Sequence, residues 1–152
     1  MSNKTVLVIG TGTIGEPLIG LLSRLKAELG IGKVLFHKRS PLDYEVAKVN
    51  SLVSQGAELV VDPDKIQDFK ALGHIPTLEY ESALSLSDVV IDCTPAGNLA
   101  KDKHYDKLKD KKRTFIAQGS EKGFGIPYAY GINDVVLERD VGQQYIQVVS
   151  CN

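Results

Sequence analysis

Short runs of apolar, largely β-branched residues recur at Thr5–Ile9, Lys33–His37, Glu58–Val61, Asp88–Asp92, Arg113–Ala117 and Tyr145–Val149, with helix-length stretches between several of them. Runs this short and this continuously apolar predict strands covered on both faces, the condition of a parallel sheet, where polar alternation is not needed. Strands that alternate with helices predict βαβ units whose crossovers supply the covering layers. The expected fold class is therefore α/β, a doubly wound and mostly parallel sheet.

The helices are read from spacing and from their stop signals. Ile14, Leu18, Leu21, Leu22, Leu25 and Leu29 recur at helical intervals and predict one apolar stripe facing the sheet. Pro17 falls in the first turn of that helix, where it is tolerated, and Gly30 and Gly32 release the chain into the second strand. A second helix is predicted from Asp43 to Gln55, ended by Gly56. Asp62-Pro63 reads as an N-cap and first-turn proline opening a short helix to Leu72, and Leu99–Leu108 is a further helix candidate. The glycine-, proline- and tyrosine-rich stretch from Gly119 to Gly131 predicts a long loop. After the strand-like Tyr145–Val149 only Ser150-Cys151-Asn152 remain, with no closing helix.

Composition narrows the function classes. A chain of 152 residues is expected to form one domain, and 43% hydrophobic with 24% charged residues is ordinary globular usage that speaks against disorder. Eighteen Lys and Arg against 19 Asp and Glu give a net charge of -1, so no overall field draws in nucleic acid or an anionic membrane. No apolar run approaches the roughly 18 residues of a bilayer span. Met1-Ser2-Asn3-Lys4 leads into the first strand without a signal-peptide core, so a cytoplasmic location is expected. Cys93 and Cys151 are too few for a disulfide scaffold and lack zinc-site spacing, and no metal is expected.

Gly10-Thr11-Gly12-Thr13-Ile14-Gly15 has the spacing GxGxxG between a predicted strand and a predicted helix. In that setting Gly10 permits the tight turn, Gly12 lets a pyrophosphate approach the backbone, and Gly15 allows close helix–strand packing. The helix N-terminus adds free N–H groups. A Rossmann-like dinucleotide-binding domain is the expected outcome. An acid about 20 residues on usually holds a ribose 2′-hydroxyl. Here the second strand ends instead in His37-Lys38-Arg39-Ser40, and Lys38, Arg39 and Ser40 suit a 2′-phosphate, so NADP is expected to be preferred over NAD.

Asp92-Cys93-Thr94-Pro95-Ala96-Gly97 follows the fourth apolar run, at the sheet edge where open α/β folds bind ligands, making Thr94, Pro95 and Gly97 candidates to line the cofactor. Cys93 has no base or cation beside it in sequence and reads as a small buried filler. Gln118-Gly119 follows the next strand in the same way. Cys151 would stand at the start of a next helix in a complete fold, a position that favours a thiolate. An activated thiol beside a nicotinamide site suggests aldehyde oxidation through a thioester, with the cofactor taking the hydride.

Four blocks in order, Val8–Gly15, Val90–Gly97, Gln118–Lys122 and Val148–Asn152, make the chain resemble the archaeal-type phosphorylating glyceraldehyde-3-phosphate dehydrogenases along almost its whole length. The resemblance implies that Thr13 and Ile14 contact the dinucleotide, that Lys38 to Ser40 surround the adenosine ribose, and that Gly119 borders the cofactor. Cys151 is implied as the nucleophile, flanked by substrate-contacting Ser150 and Asn152. It also implies glyceraldehyde 3-phosphate and phosphate as substrates, NAD or NADP as cofactor, and a homotetrameric enzyme. In the family the cysteine begins a second domain that supplies the histidine base, and none of His37, His74 and His104 matches that base. Residues 1–152 are then the cofactor-binding half, expected to bind NADP without turnover and to need another copy or a separately encoded catalytic domain to cover exposed apolar surface.

Glu16, in the first turn of the phosphate-facing helix, departs from the cation common there in the family, and Cys93 replaces a common alanine. Leu52–Leu72 and Pro127–Val141 match only loosely. Two rival readings differ in class. One is a freestanding dinucleotide-binding sensor or regulatory module. The other is the nucleotide domain of a semialdehyde or acylating aldehyde dehydrogenase, which would share the glycine loop and the cysteine without the other blocks.

Overall fold

The computed structural model describes residues 3–108, 113–118, 122–139 and 144–149. Eight strands form one sheet: β1 (Lys4–Ile9), β2 (Ile31–His37), β3 (Ala57–Val61), β4 (Leu78–Glu79), β5 (Val89–Asp92), β6 (Thr114–Gln118), β7 (Ile126–Tyr128) and β8 (Tyr145–Val148). Their order is β4-β3-β2-β1-β5-β6-β8-β7, and every pairing is parallel. Helices α1 (Gly15–Arg24), α2 (Val46–Ser54), α3 (Ile66–Ala71), α4 (Tyr80–Leu86), α5 (Gly97–Lys103) and α6 (Val135–Arg139) accompany them, with single 3₁₀ turns before α2 and α3 and after α5.

The strand order makes β1 the centre. The chain winds outward through β2, β3 and β4, then returns to place β5 on the other side of β1, so the direction reverses between β1 and β5. At the carboxyl end of this junction Ile9 lies in register with His37 on one side and Asp92 on the other. Ligands of open α/β sheets bind at such a switch point.

Alternate residues of each inner strand serve opposite cores. Val6, Val8, Val34, Phe36, Leu59 and Val61 pack with Ile19, Val49, Leu52 and Phe69 from α1, α2 and α3. Leu7, Ile9, Leu35, Val60 and Val90 face the other way, onto Ala83 and Leu84 of α4 and onto Tyr105, Phe115, Phe124 and Tyr145. Each fully buried Leu, Ile or Phe side chain contributes roughly 1.5–3 kcal/mol, and two covered faces require apolar residues at both parities. That requirement is why the strands read as unbroken apolar runs.

Three expectations need correction. The first helix stops at Arg24 and the chain turns before Gly30, so Leu29 lies beyond the helix and is exposed, while Ile14 and Leu21 are exposed because they lie off its buried line. The buried line of α1 is Gly15, Ile19 and Ser23, with Leu18 and Leu22 flanking it. Small residues on that line bring the helix close to the sheet, and a narrow strip then suffices. Second, the region read as a loop from Gly119 to Gly131 contains β7, paired in register Ile126 with Ile146. Pro127 is accommodated because β7 is an edge strand. Third, the short helix opens as expected with Asp62 at its N-cap position and Pro63 in its first turn, but the Asp62 side chain makes no capping hydrogen bond. Its carboxylate turns to His37 instead. Tyr130, Ile132 and Val149 leave apolar surface exposed beside β7 and β8.

Candidate functional site

The glycine loop joins β1 to α1. Gly10 has φ +93°, and a Cβ built on Gly15 would stand 1.9 Å from the Gly10 carbonyl oxygen, so backbone packs directly on backbone. A Cβ on Gly12 would meet nothing within 4 Å, which leaves open space above the loop. The Glu16 amide donates to the Gly12 carbonyl at 3.0 Å. Among the described residues, no acceptor bonds the amides of Gly12, Thr13 or Ile14. Unbonded N–H groups at a helix start, beside open space, are an arrangement suited to an anion.

At the end of β2, Lys38 is 5% exposed and its Nζ donates to Glu45 Oε2. Glu45 Oε1 accepts from Lys48 Nζ at 2.7 Å, and the same ammonium reaches the Thr11 carbonyl at 3.2 Å and Glu16 Oε2 at 3.4 Å. Hydrogen bonds from Lys38 and Lys48 hold the Glu45 carboxyl below its ordinary range, and the bond to Glu45 raises Lys48. Lys48 thus supplies the cation beside the acidic Glu16 of α1. Arg39 is exposed and Ser40 half-buried.

At the end of β5, Asp92 is 1% exposed. Its Oδ1 accepts the Thr94 amide at 2.9 Å and the Thr94 hydroxyl at 2.7 Å, and its Oδ2 accepts the Tyr105 hydroxyl at 2.6 Å. These bonds fix the turn that carries Thr94 against the glycine loop, where the methyl of Thr94 would lie 3.1 Å from a Cβ on Gly10. Burial and the neighbouring Asp92 push the Cys93 thiol up to about 12. Such a thiol is inert at neutral pH.

A ring cluster closes the third side. His37 Nε2 lies 3.2 Å from Asp62 Oδ1, its ring is 4.4 Å from that of Tyr80, and Tyr80 meets His104 edge-on at 5.4 Å. Burial lowers His37 more strongly than Asp62 raises it, and desolvation raises half-buried Tyr80 well above the usual phenol range. Together these three sides bound a cleft of about 740 Å³ over the switch point.

Of the residues singled out from sequence, Gly10, Gly12, Lys38, Arg39, Ser40, Thr94 and Pro95 line this one cleft. Thr13 and Ile14 are exposed at the start of α1, Gly15 serves the loop packing, Gly97 is buried at the start of α5, and Gln118 ends β6. Gly119, Ser150, Cys151 and Asn152 lie outside the described residues. Glu45, Lys48, Asp62, Tyr80 and His104 were missed. Their one sequence signal was the Glu45–Lys48 spacing, ordinary for any helix surface. Among the described residues no cluster of His, Cys, Asp and Glu is arranged to hold a metal, and no helix is long and apolar enough to cross a membrane.

A doubly wound parallel sheet carrying a glycine loop and a cleft at its switch point defines a Rossmann-like dinucleotide-binding domain. Haloferax mediterranei glucose dehydrogenase in complex with NADP, Zn and gluconolactone shares this fold, with a TM-score of 0.50 at 15% identity, over 100% of this chain and 37% of that one. In sequence the chain is similar to the glyceraldehyde-3-phosphate dehydrogenase of Pyrobaculum neutrophilum, 35% identical over 95% of this chain and 40% of that protein. It is likewise similar to that of Methanobacterium formicicum, 35% identical over 98% and 42%, and to glyceraldehyde-3-phosphate dehydrogenase 1 of Methanosarcina acetivorans, 31% identical over 100% and 42%. No family model matches the chain. It corresponds to the N-terminal domain of archaeal-type glyceraldehyde-3-phosphate dehydrogenases and spans about 40% of the length of the curated relatives it matches.

Proposed function

We propose that this domain binds a nicotinamide dinucleotide, NADP in preference to NAD, as the cofactor-binding portion of a phosphorylating glyceraldehyde-3-phosphate dehydrogenase. The observation that carries the proposal is the cleft itself. Open space above Gly12 and unbonded amides at the start of α1 suit a pyrophosphate, with Arg39 and Ser40 at one end and Thr94 and Pro95 at the other. The donor set therefore fits the group. The similarity to glyceraldehyde-3-phosphate dehydrogenases over 95–100% of the chain supports the enzyme class.

In this reading the amides of Gly12, Thr13 and Ile14 hold the pyrophosphate, and Arg39 and Ser40 take the 2′-phosphate. When bound, the dinucleotide supplies the acceptor for the hydride of the aldehyde. The work of the described residues is orientation. Asp92 fixes Thr94, Thr94 braces Gly10, and the Gly10–Gly15 contact sets where α1 points its N-terminus. Cys151, by resemblance the nucleophile, belongs to the same reading, with Ser150 and Asn152 at the substrate and with glyceraldehyde 3-phosphate and phosphate as substrates of a homo-oligomeric enzyme.

Calorimetric titration of the 152-residue chain with NADP and with NAD tests the proposal. Saturable micromolar binding, tighter for NADP, is expected. A folded chain that gives no binding heat with either nucleotide would overturn it.

A further inference from the structure

The end of β2 carries a conflict that the sequence pattern conceals. Lys38 and Arg39 look like a pair of cations waiting for a phosphate, yet the structure has already partnered one of them. Glu45 comes up from the 3₁₀ turn before α2, accepts from Lys38 through one carboxylate oxygen and from Lys48 through the other, and lines the cleft beside Arg39 and Ser40. Lys48 is further occupied by the Thr11 carbonyl and by Glu16. The carboxylate thus stands as a fixed negative charge inside the part of the cleft that faces the end of β2, and Lys38 is nearly inaccessible behind it.

A 2′-phosphate brings close to two negative charges, whereas a 2′-hydroxyl brings none. Charges a few ångströms apart in a partly buried site interact far more strongly than in bulk water. Glu45 therefore repels the phosphorylated nucleotide and is indifferent to, or accepts a hydrogen bond from, the hydroxyl form.

We propose that Glu45 is a specificity-determining residue of this cleft, an internal counter-anion to Lys38 and Lys48 that tempers the preference for 2′-phosphorylated dinucleotides set by Arg39 and Ser40. The proposal rests on the dinucleotide reading above and deepens it. It requires Arg39 to carry most of the 2′-phosphate recognition while Glu45 is charged, and it requires Lys38 to become available when Glu45 is neutralised. A merely structural Glu45 would, on substitution, weaken both nucleotides alike.

The test is calorimetric binding of NADP and NAD to the wild-type chain and to Glu45→Gln, with thermal melting to establish that the variant is folded. The ratio of NAD to NADP dissociation constants is expected to rise about tenfold in Glu45→Gln. It should return towards the wild-type ratio in the double variant Lys38→Met/Glu45→Gln, because the freed cation is gone. Binding of both nucleotides with an unchanged ratio in Glu45→Gln overturns this proposal and leaves the dinucleotide reading standing. If neither nucleotide binds the folded wild-type chain, that reading falls and the proposal with it. Should Glu45→Gln fail to fold, Lys48→Gln replaces it. Removing one of the two cations that offset Glu45 is expected to weaken NADP relative to NAD about threefold, and an unchanged ratio there overturns the proposal equally.

Discussion

The carbonyl oxygen of Gly10 lies 1.9 Å from where a Cβ on Gly15 would be built, so the end of β1 and the start of α1 touch without a side chain between them. Gly12, two residues along the same loop, has no atom within 4 Å of its own would-be Cβ. Gly15 is required by backbone packing, whereas the space above Gly12 is open to the cleft.

Gly15→Ala should accordingly destabilise the domain by about 3 kcal/mol or more, because backbone must move to admit the methyl. Gly12→Ala should leave stability within about 1 kcal/mol, its backbone lying outside the left-handed region, while weakening dinucleotide binding at least about tenfold. Urea denaturation and calorimetry on the two variants separate these effects. Equal stability losses would contradict the tight surroundings of Gly15 and the open ones of Gly12.

Arg39 is the exposed cation at the end of β2. Arg39→Ala should weaken NADP about tenfold or more, the scale of a charge-assisted bond to phosphate, and change NAD binding less than about threefold. Parallel titrations decide the matter, and equal losses for the two nucleotides would remove Arg39 from 2′-phosphate recognition.

Tyr105 donates to Asp92 from a fully buried position. Tyr105→Phe should cost roughly 2 kcal/mol, since Asp92 keeps its two bonds from Thr94 but loses the third. Asp92→Ala removes all three and frees the turn behind Thr94, so it should lower both stability and dinucleotide affinity. Denaturation midpoints with parallel calorimetry distinguish the two variants.

Burial lowers His37 and His74 below the ordinary imidazole value of 6.5. The unfolded chain then binds more protons than the folded one as pH falls through 6.5. The stability these neutral rings contribute is present above that pH and is lost progressively below it. Urea midpoints should fall between pH 7.5 and pH 5.5, and the fall should shrink in His74→Gln. A midpoint that rises on acidification would contradict the burial of both rings.

Cys93, with its thiol pushed up to about 12, should resist iodoacetamide at pH 7.5 in the native chain and react once urea unfolds it. Peptide mass mapping reads the modification directly.

The strands were legible because a sheet buried on both faces imposes apolar residues at every position, as Val6 through Ile9 show on their two cores. The glycine loop was legible because its spacing is dictated by backbone contacts, of which Gly10 with Gly15 is the clearest. β4 and β7 were not. Two or three residues are too few to show a period, and Pro127 argues against a strand unless its edge position is known. The leucine pattern of the first helix overreached because Leu25 and Leu29 continue the period past the point where the helix ends. The far wall of the cleft was hidden for a different reason. Glu45, Asp62, Tyr80 and His104 come from four separate segments, and only the winding of the chain brings them together. Charge at the end of β2 was therefore visible in the sequence, and its neutralisation by Glu45 was not.

The two margins of the sheet are its narrowest members, Leu78–Glu79 on one side and Ile126–Tyr128 on the other. Unpaired strand edges invite lateral recruitment of further chains, and short edges interrupted by proline blunt that tendency. With two residues at one border and Pro127 at the other, the sheet offers little template for growth into filaments. The sheet is thereby closed at both borders against extension by backbone pairing, while the exposed apolar side chains, Tyr130 and Ile132 among them, lie off those hydrogen-bonding edges as surface only.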